Sequence, residues 1–358
     1  MDGLGVRIDL LLLFLSLFIS FVSYPFWINF VYKFHMGEVS RVHEHKQGLP
    51  TMGGMVFVIA VALVTLLFNR SRTQTLLPIF IALVSGLLGL FEDFSKVYRK
   101  SGLPAFFDFQ INKIFSRFTM KKILTFKPWM LFKEFSRIVG SSGGTGLETY
   151  HKFIIQGVIG GFMAYWAYFK LGWDYIWFPL VGNIHFGLFY PFLIFLFFIV
   201  VLNAVAFTDG LDGLAGGLAL IAFLVFWGIS RALGYNSLAG FCATFVGALI
   251  PFMYFNVYPA RIMMGNVGSH VLGAVLAVLA VVTHREIAFL LIGLVFLVDG
   301  ITSPVQQFSV KLTGKRLFRM APIHHHFEVL GWPESKVTLR FWIFGMIFGL
   351  AGLFVALL

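Results

Sequence analysis

Residues 10–32 read LLLLFLSLFISFVSYPFWINFVY, without a single charged side chain. A bilayer core about 30 Å thick is crossed by about 20 mostly apolar helical residues, so this run is long enough to span one. It is longer than the apolar part of a secretion signal, and no small-residue cleavage site follows. It is expected to stay as a first membrane helix.

Outward from it, nine more stretches repeat the pattern, at about 52–69, 75–91, 153–171, 186–205, 212–232, 238–255, 268–283, 286–305 and 338–358. The eighth is the shortest. No internal repeat is evident. Hydrophobic residues make up 59% of the chain and charged residues 12%, about half the charged share of a soluble domain. The 45 Phe exceed what a water-facing surface carries. The expectation is an all-α integral membrane protein of about ten transmembrane helices, forming one polytopic unit over 1–358. The lone Cys242 lies in an apolar run, which leaves no disulfide within the chain and no thiol metal site.

Of the 27 Lys and Arg, all but Arg7, Arg70, Arg72, Lys170, Arg231 and Arg285 fall in alternate loops. The positive-inside rule puts those loops in the cytoplasm and both termini outside. The net charge of +11 is therefore expected on one side, facing anionic headgroups. Nucleic-acid binding, the other common use of basic surface, does not suit a chain of ten spans.

Five polar clusters interrupt the apolar pattern, all in or beside the basic loops. The first is Lys46 with Pro50-Thr51-Met52-Gly53-Gly54, where glycines permit close approach and helix-start amides suit an anion. The second is Glu92-Asp93 at the end of the third span. Paired carboxylates at a membrane surface need a cation or donors, and Mg²⁺ binds through few protein oxygens while phosphates complete its shell. The third is Asp209-Gly210-Leu211-Asp212-Gly213, with helix capping by Asp212 the plainer alternative. The fourth is Asn256 with Met264-Gly265-Asn266, where capping is again the alternative. The fifth is His324-His325-His326. Consecutive side chains diverge, so a zinc site is a poor fit, and imidazoles contacting phosphate or a nucleotide fit better. A transporter would place such groups at mid-membrane. Here they gather at one surface.

In this order, and over nearly the whole chain, these motifs resemble the polyprenyl-phosphate N-acetylhexosamine-1-phosphate transferase superfamily. Pro50-Thr51-Met52-Gly53-Gly54, the run Phe318–His326 and Gly331-Trp332-Pro333-Glu334 resemble its phospho-N-acetylmuramoyl-pentapeptide branch. The resemblance implies transfer of phospho-N-acetylmuramoyl-pentapeptide from UDP-N-acetylmuramoyl-pentapeptide to undecaprenyl phosphate, giving lipid I and UMP. It also implies Mg²⁺, a cytoplasmic-face active site in the bacterial inner membrane, and a homodimer. Asp93, Glu92 and His325 are the catalytic residues it implies, with Asp93 organising magnesium and lipid phosphate. It implies substrate contacts at Lys46, Thr51, Asp209, Gly210, Asp212, Asn256, Gln306, His324 and His326, and metal ligation at Asp93 and Asn266. The alternatives are a UDP-GlcNAc:polyprenyl-phosphate GlcNAc-1-phosphate transferase and a catalytically impaired paralogue.

The chain departs from the family pattern in four places. Glu92-Asp93 stands where the family usually has Asp-Asp. Ala206 replaces an Asn that usually follows Asn203-Ala204-Val205. Asn266 replaces the Asp expected to bind metal, keeping a carbonyl oxygen but losing a charge. An insertion at about 103–146, which the family generally lacks or keeps short, mixes Phe106, Phe107, Phe109, Phe115, Phe118 and Trp129 with Lys113, Arg117, Lys121, Lys122 and Lys127. That mixture suits an interfacial helix on anionic lipid.

Overall fold

A computed structural model describes residues 3–37, 46, 48–98, 127–139 and 149–358. Most of the expected insertion, including Phe106, Phe107, Phe109, Phe115, Phe118, Lys113, Arg117, Lys121, Lys122 and the 140–144 stretch, lies outside the described residues. Within it, Lys127–Val139 is helical.

Every predicted apolar stretch is helical, as hydrocarbon requires of a backbone that must satisfy its own hydrogen bonds. In chain order the helices are α1 (Gly3–Lys33), α2 (Gly54–Phe68), α3 (Leu77–Tyr98), α4 (Lys127–Val139), α5 (Thr149–Tyr165), α6 (Tyr190–Thr208), α7 (Leu214–Ala232), α8 (Asn236–Asn256), α9 (Gly265–Val282), α10 (Glu286–Ile292), α11 (Leu294–Thr313), α12 (Ile323–Val329) and α13 (Glu334–Ala356). Among the described residues, seven helices are long and apolar enough to cross a membrane, or eight if α10 and α11 count as one span. The count of ten is thus approximate. α2 has only 15 residues, and α5 has 17 and opens with Thr149-Tyr150-His151-Lys152.

The ninth stretch is not one straight helix. It bends by 80° between α10 and α11, at Gly293, whose φ of −93° and ψ of 9° leave the helical region. Glycine is a usual cause of such a break. An antiparallel hairpin, β1 (Tyr175–Phe178) with β2 (Gly182–His185), fills the loop before α6. Sequence reading saw only a connection there.

The core centres on α8 and α9, whose most apolar windows are 89% buried, whereas those of α1 and α13 are 28% and 22% buried. The outer helices turn Leu11, Phe14, Phe18, Leu350 and Phe354 outward, a belt suited to lipid tails. α9 crosses α2 where Gly54 meets Gly268, and α3 where Gly89 meets the Asn266 backbone. A Cβ at either glycine would collide with backbone, so these contacts explain why small residues stand there. This close packing brings the end of α3 and the start of α9 together.

Candidate active site

The α3, α6 and α8 C-termini and the α5, α7, α9 and α13 N-termini meet at one end of the bundle, and the five clusters assemble there. Asp93, on the last turns of α3, reaches the first turn of α9. Its Oδ1 accepts the Asn266 backbone N–H (3.0 Å) and the Asn266 side-chain amide (2.8 Å), and its Oδ2 accepts the Val267 N–H (3.1 Å). A helix start leaves its first amides without partners and carries partial positive charge. A buried carboxylate from another helix answers both. Asn266 caps nothing itself; its side-chain amide group donates to Asp93, and its side-chain oxygen Oδ1 accepts no hydrogen bond among the described residues.

Glu92, one residue earlier, faces elsewhere. Its Oε1 pairs with Lys152 on α5 and lies 3.3 Å from the Lys96 ammonium. Its Oε2 is buried with no donor among the described residues. One turn along α5, Gln156 and Asn203 exchange side-chain hydrogen bonds, with Asn203 Nδ2 donating to Gln156 Oε1 at 3.0 Å. Gln156 also lies 3.4 Å from His270 Nε2, and His270 Nδ1 meets the Asn266 carbonyl at 2.8 Å. A polar chain thus leads from Asn266 back to α5.

The second assembly centres on Lys46. Its ammonium pairs with Asp212 (2.6 Å) and Glu334 (2.5 Å), all three side chains being almost fully buried. Burial alone would pull the Lys46 ammonium down, but the two carboxylates outweigh it and hold it above the ordinary lysine range. Asp212 Oδ2 also accepts the Ala260 N–H at 2.9 Å. Asn256 takes the Gly213 N–H (3.1 Å) and donates to the Ile262 carbonyl (2.8 Å). Asp212 does not cap α7. The residue at that cap is Gly213, at φ 74°, a left-handed conformation natural to glycine. Thr51 is buried, and its backbone N–H donates to Met36.

The third assembly carries the histidines. His324 and Asp299 are both fully buried, and His324 Nδ1 lies 2.8 Å from Asp299 Oδ2. The His324 backbone N–H donates to Asp299 Oδ1 (3.1 Å), and the Ile323 N–H donates to Thr302 Oγ1 (3.0 Å). Asp299 and Thr302, on α11, therefore hold the first turn of α12. His324 Nε2 is buried with no partner among the described residues and abuts Gly210. His325 Nδ1 lies 2.6 Å from Glu328, and His326 Nδ1 accepts the Arg319 N–H at 3.1 Å. The three imidazoles go three ways, as side-chain divergence requires. Gln306 fastens the preceding loop, accepting the Leu317 and Phe318 N–H groups and donating to the Phe318 carbonyl.

The assemblies are continuous. Gly53 and Gly54 donate their amides to the Met263 and Met264 carbonyls at 2.9 Å each, which corrects the expectation that these amides await an anion. The glycines do permit close approach, and what approaches is the 263–268 segment. The loop 208–213 joins the other two assemblies, with Asp212 on Lys46, Gly210 on His324, and half-buried Asp209 ending α6.

A family model described as glycosyl transferase family 4 matches residues 144–284. The chain is 31% identical over 360 residues to a phospho-N-acetylmuramoyl-pentapeptide-transferase of Geobacillus sp. (strain WCH70), covering 98% of each protein. It is 32% identical to the protein of that name from Levilactobacillus brevis, covering 93% of this chain and 94% of the relative. The one from Lacticaseibacillus paracasei is 33% identical, at 94% and 92%. The chain belongs to the phospho-N-acetylmuramoyl-pentapeptide-transferase family.

Sequence reading missed several residues that this transferase fold brings to the site. Glu334 was visible only as the end of a motif, yet it accepts both the Lys46 ammonium and the Asp212 N–H. Asp299 stands inside the apolar run of α11, and an acidic residue within a span is itself a signal. Lys152 and Gln156, four apart on α5, share one helix face.

Proposed function

We propose that this chain transfers phospho-N-acetylmuramoyl-pentapeptide from its UDP carrier to undecaprenyl phosphate, releasing UMP and forming lipid I. The observation that carries this is likeness to transferases of that name over more than nine-tenths of the chain. The site supports it, because buried carboxylates, amide oxygens and imidazoles from eight helices and the 208–213 loop converge at one end of a membrane bundle. The basic alternate loops of the sequence that border this end support a cytoplasmic-facing site by the positive-inside rule, in keeping with a bacterial inner membrane.

The acceptor phosphate is largely ionised near neutral pH, its second pKa being about 6, so it needs alignment more than a base. One of its oxygens attacks the sugar-bearing phosphorus of the donor. A new P–O–P linkage forms, the bond to the uridylyl oxygen breaks, and UMP departs with that electron pair. No activated Ser or Cys argues for a covalent intermediate. The apolar helix faces receive the lipid tail. Lys96 and Lys152 lie beside the Asp93 turn as fixed positive charge. The 208–213 loop and the His324–Asp299 pair shape the nucleotide end.

The Asp93–Asn266 pair fits Mg²⁺ by its donor chemistry, with a carboxylate beside an amide carbonyl oxygen that accepts no protein donor. Among the described residues no group of three His, Cys, Asp or Glu could hold a metal, so an ion at this pair would take the rest of its shell from phosphate and water. When bound, such an ion neutralises crowded diphosphate charge.

The test offers purified protein, undecaprenyl phosphate and Mg²⁺ either UDP-N-acetylmuramoyl-pentapeptide or UDP-GlcNAc, and measures UMP. Release with the first donor alone is expected. Release with UDP-GlcNAc alone, or with neither donor, overturns the proposal.

A further inference from the structure

Beside the transfer site, α4 and the outer half of α11 line a pocket of about 770 Å³, which reaches Gln306 at its inner end and runs outward along residues to which the proposed chemistry gives no role. α4 comes from the insertion. It docks on the bundle end through Trp129, whose ring lies 5.7 Å from that of Tyr150, and through the Lys133 ammonium 4.4 Å above the same Tyr150 ring. Ser136 and Ile138 face inward and are buried. Tyr150 begins α5, so α4 sits at the level where the apolar bundle gives way to polar loops.

Charge in this pocket is unbalanced. Arg137, Lys311, Arg316 and Arg319 line it against one acid, Glu134. Glu134 is already paired with Lys311 at 2.6 Å. Among the described residues, the guanidiniums of Arg137, Arg316 and Arg319 have no carboxylate partner. Clustered cations in a concave, partly apolar site focus positive potential, and guanidinium forks match phosphate oxygens. The remaining wall includes Ile138, Val310 and Val329. Outside it, α4 exposes Met130, Leu131 and Phe135, at 59%, 66% and 50%. A soluble phosphate has no use for that apolar surface, whereas a phospholipid uses both parts.

We propose that this pocket seats the phosphate headgroup of an anionic membrane phospholipid, with its acyl chains running along Leu131 and Phe135. Arg137 and the apolar face both come from the expected insertion, whereas Lys311, Arg316 and Arg319 come from α11 and the loop after it.

The test is native mass spectrometry of the full-length protein in detergent with equimolar phosphatidylglycerol and phosphatidylcholine. The unaltered protein should retain phosphatidylglycerol in preference by about ten-fold or more. R137Q/R316Q should bring the preference to within about two-fold, and R137K/R316K, which keeps the charge, should preserve most of it. R316Q alone provides a milder version should the double variant unfold at a lower temperature. Equal retention of the two lipids overturns the proposal, as does a preference that survives loss of both guanidiniums. Release of the lipid by millimolar inorganic phosphate, with the same stabilisation of the protein, assigns the pocket to a soluble anion and overturns the lipid assignment.

Discussion

Asp299→Asn is the sharpest probe of the histidine assembly, because it changes one atom in a fully buried pair. The Asp299 carboxylate meets two His324 donors, the backbone N–H at 3.1 Å and Nδ1 at 2.8 Å. Asn offers one carbonyl oxygen and one NH₂ group in its place. If the oxygen keeps the backbone N–H, the NH₂ confronts Nδ1 and the imidazole must move its proton to Nε2. That nitrogen is buried against Gly210 with no acceptor among the described residues. If the oxygen keeps Nδ1–H, the first turn of α12 loses its acceptor. Either way one hydrogen bond to a charged group is lost, at about 1.5–3 kcal/mol. Expressed fully in the transition state, this is about a 10- to 150-fold fall in kcat/KM. Thr302→Val is the control. It removes the acceptor of the Ile323 N–H without touching the imidazole, so about 1 kcal/mol and about five-fold are expected. The assay is UMP release at varied donor concentration, beside the unfolding temperature of each variant. Activity of the Asp299→Asn variant within about two-fold of the parent, or equal losses in the two variants, would refute the claim that Asp299 sets the orientation of His324.

Three other outcomes follow from the geometry. Lys152→Met strands Glu92, which keeps only Lys96 at 3.3 Å, and should destabilise the protein by about 3 kcal/mol; K152M/E92Q should recover most of it in thermal melts, and no recovery would mean that Lys152 acts through something other than charge. Asn266→Asp deletes the 2.8 Å amide bond to Asp93 and sets two carboxylates together, so without Mg²⁺ its unfolding temperature should fall, and added Mg²⁺ should raise it more than in the parent; equal shifts in the two proteins would count against a metal at this pair. Burial against Trp173 and Tyr175, with the Arg285 charge adding to it, pulls the His284 imidazole down to about 4. Its folded value lies below the unfolded one of about 6.5, so its contribution is present above that pH and fades as pH falls toward 4, with about 2.5 kcal/mol gone by about pH 4.5. H284N, which tolerates the φ of 51° there, should lose less stability between about pH 7 and 4.5 than the parent, and matching losses would remove His284 from the account.

The helices were legible because each apolar run is long and carries at most two charged residues, and hydrocarbon leaves the backbone few choices. Gathering of the site at one end was legible too, since Lys46, Asp93, Asp212, Asn266 and His324 all flank alternate loops. Partner choice was not legible. Nothing in the neighbourhood of Lys46 names Glu334, 288 residues away, and nothing near Glu92 names Lys152. Such pairs follow from which helices touch, which apolar runs alone do not encode. The break at Gly293 escaped for a related reason. Glycine is common inside membrane helices, and only the packing of α10 and α11 makes this one a corner.

Asn266, which departs from the family pattern, has a physical logic in this setting. The start of α9 is pressed against α3 by close contact at Gly89, so Asp93 is buried whether or not a ligand is present. A buried carboxylate is costly unless donors surround it. Here it receives three, one of them from the Asn266 side chain. An Asp at 266 would supply no side-chain donor and would add a like charge beside Asp93, making a cation more important to the pair. Asn trades that dependence for a self-satisfied resting site, at the expense of one charge for holding metal. A chain that makes this exchange should fold equally well in chelator, and under the proposed Mg²⁺ site it would lean on substrate phosphates for most of its hold on the ion.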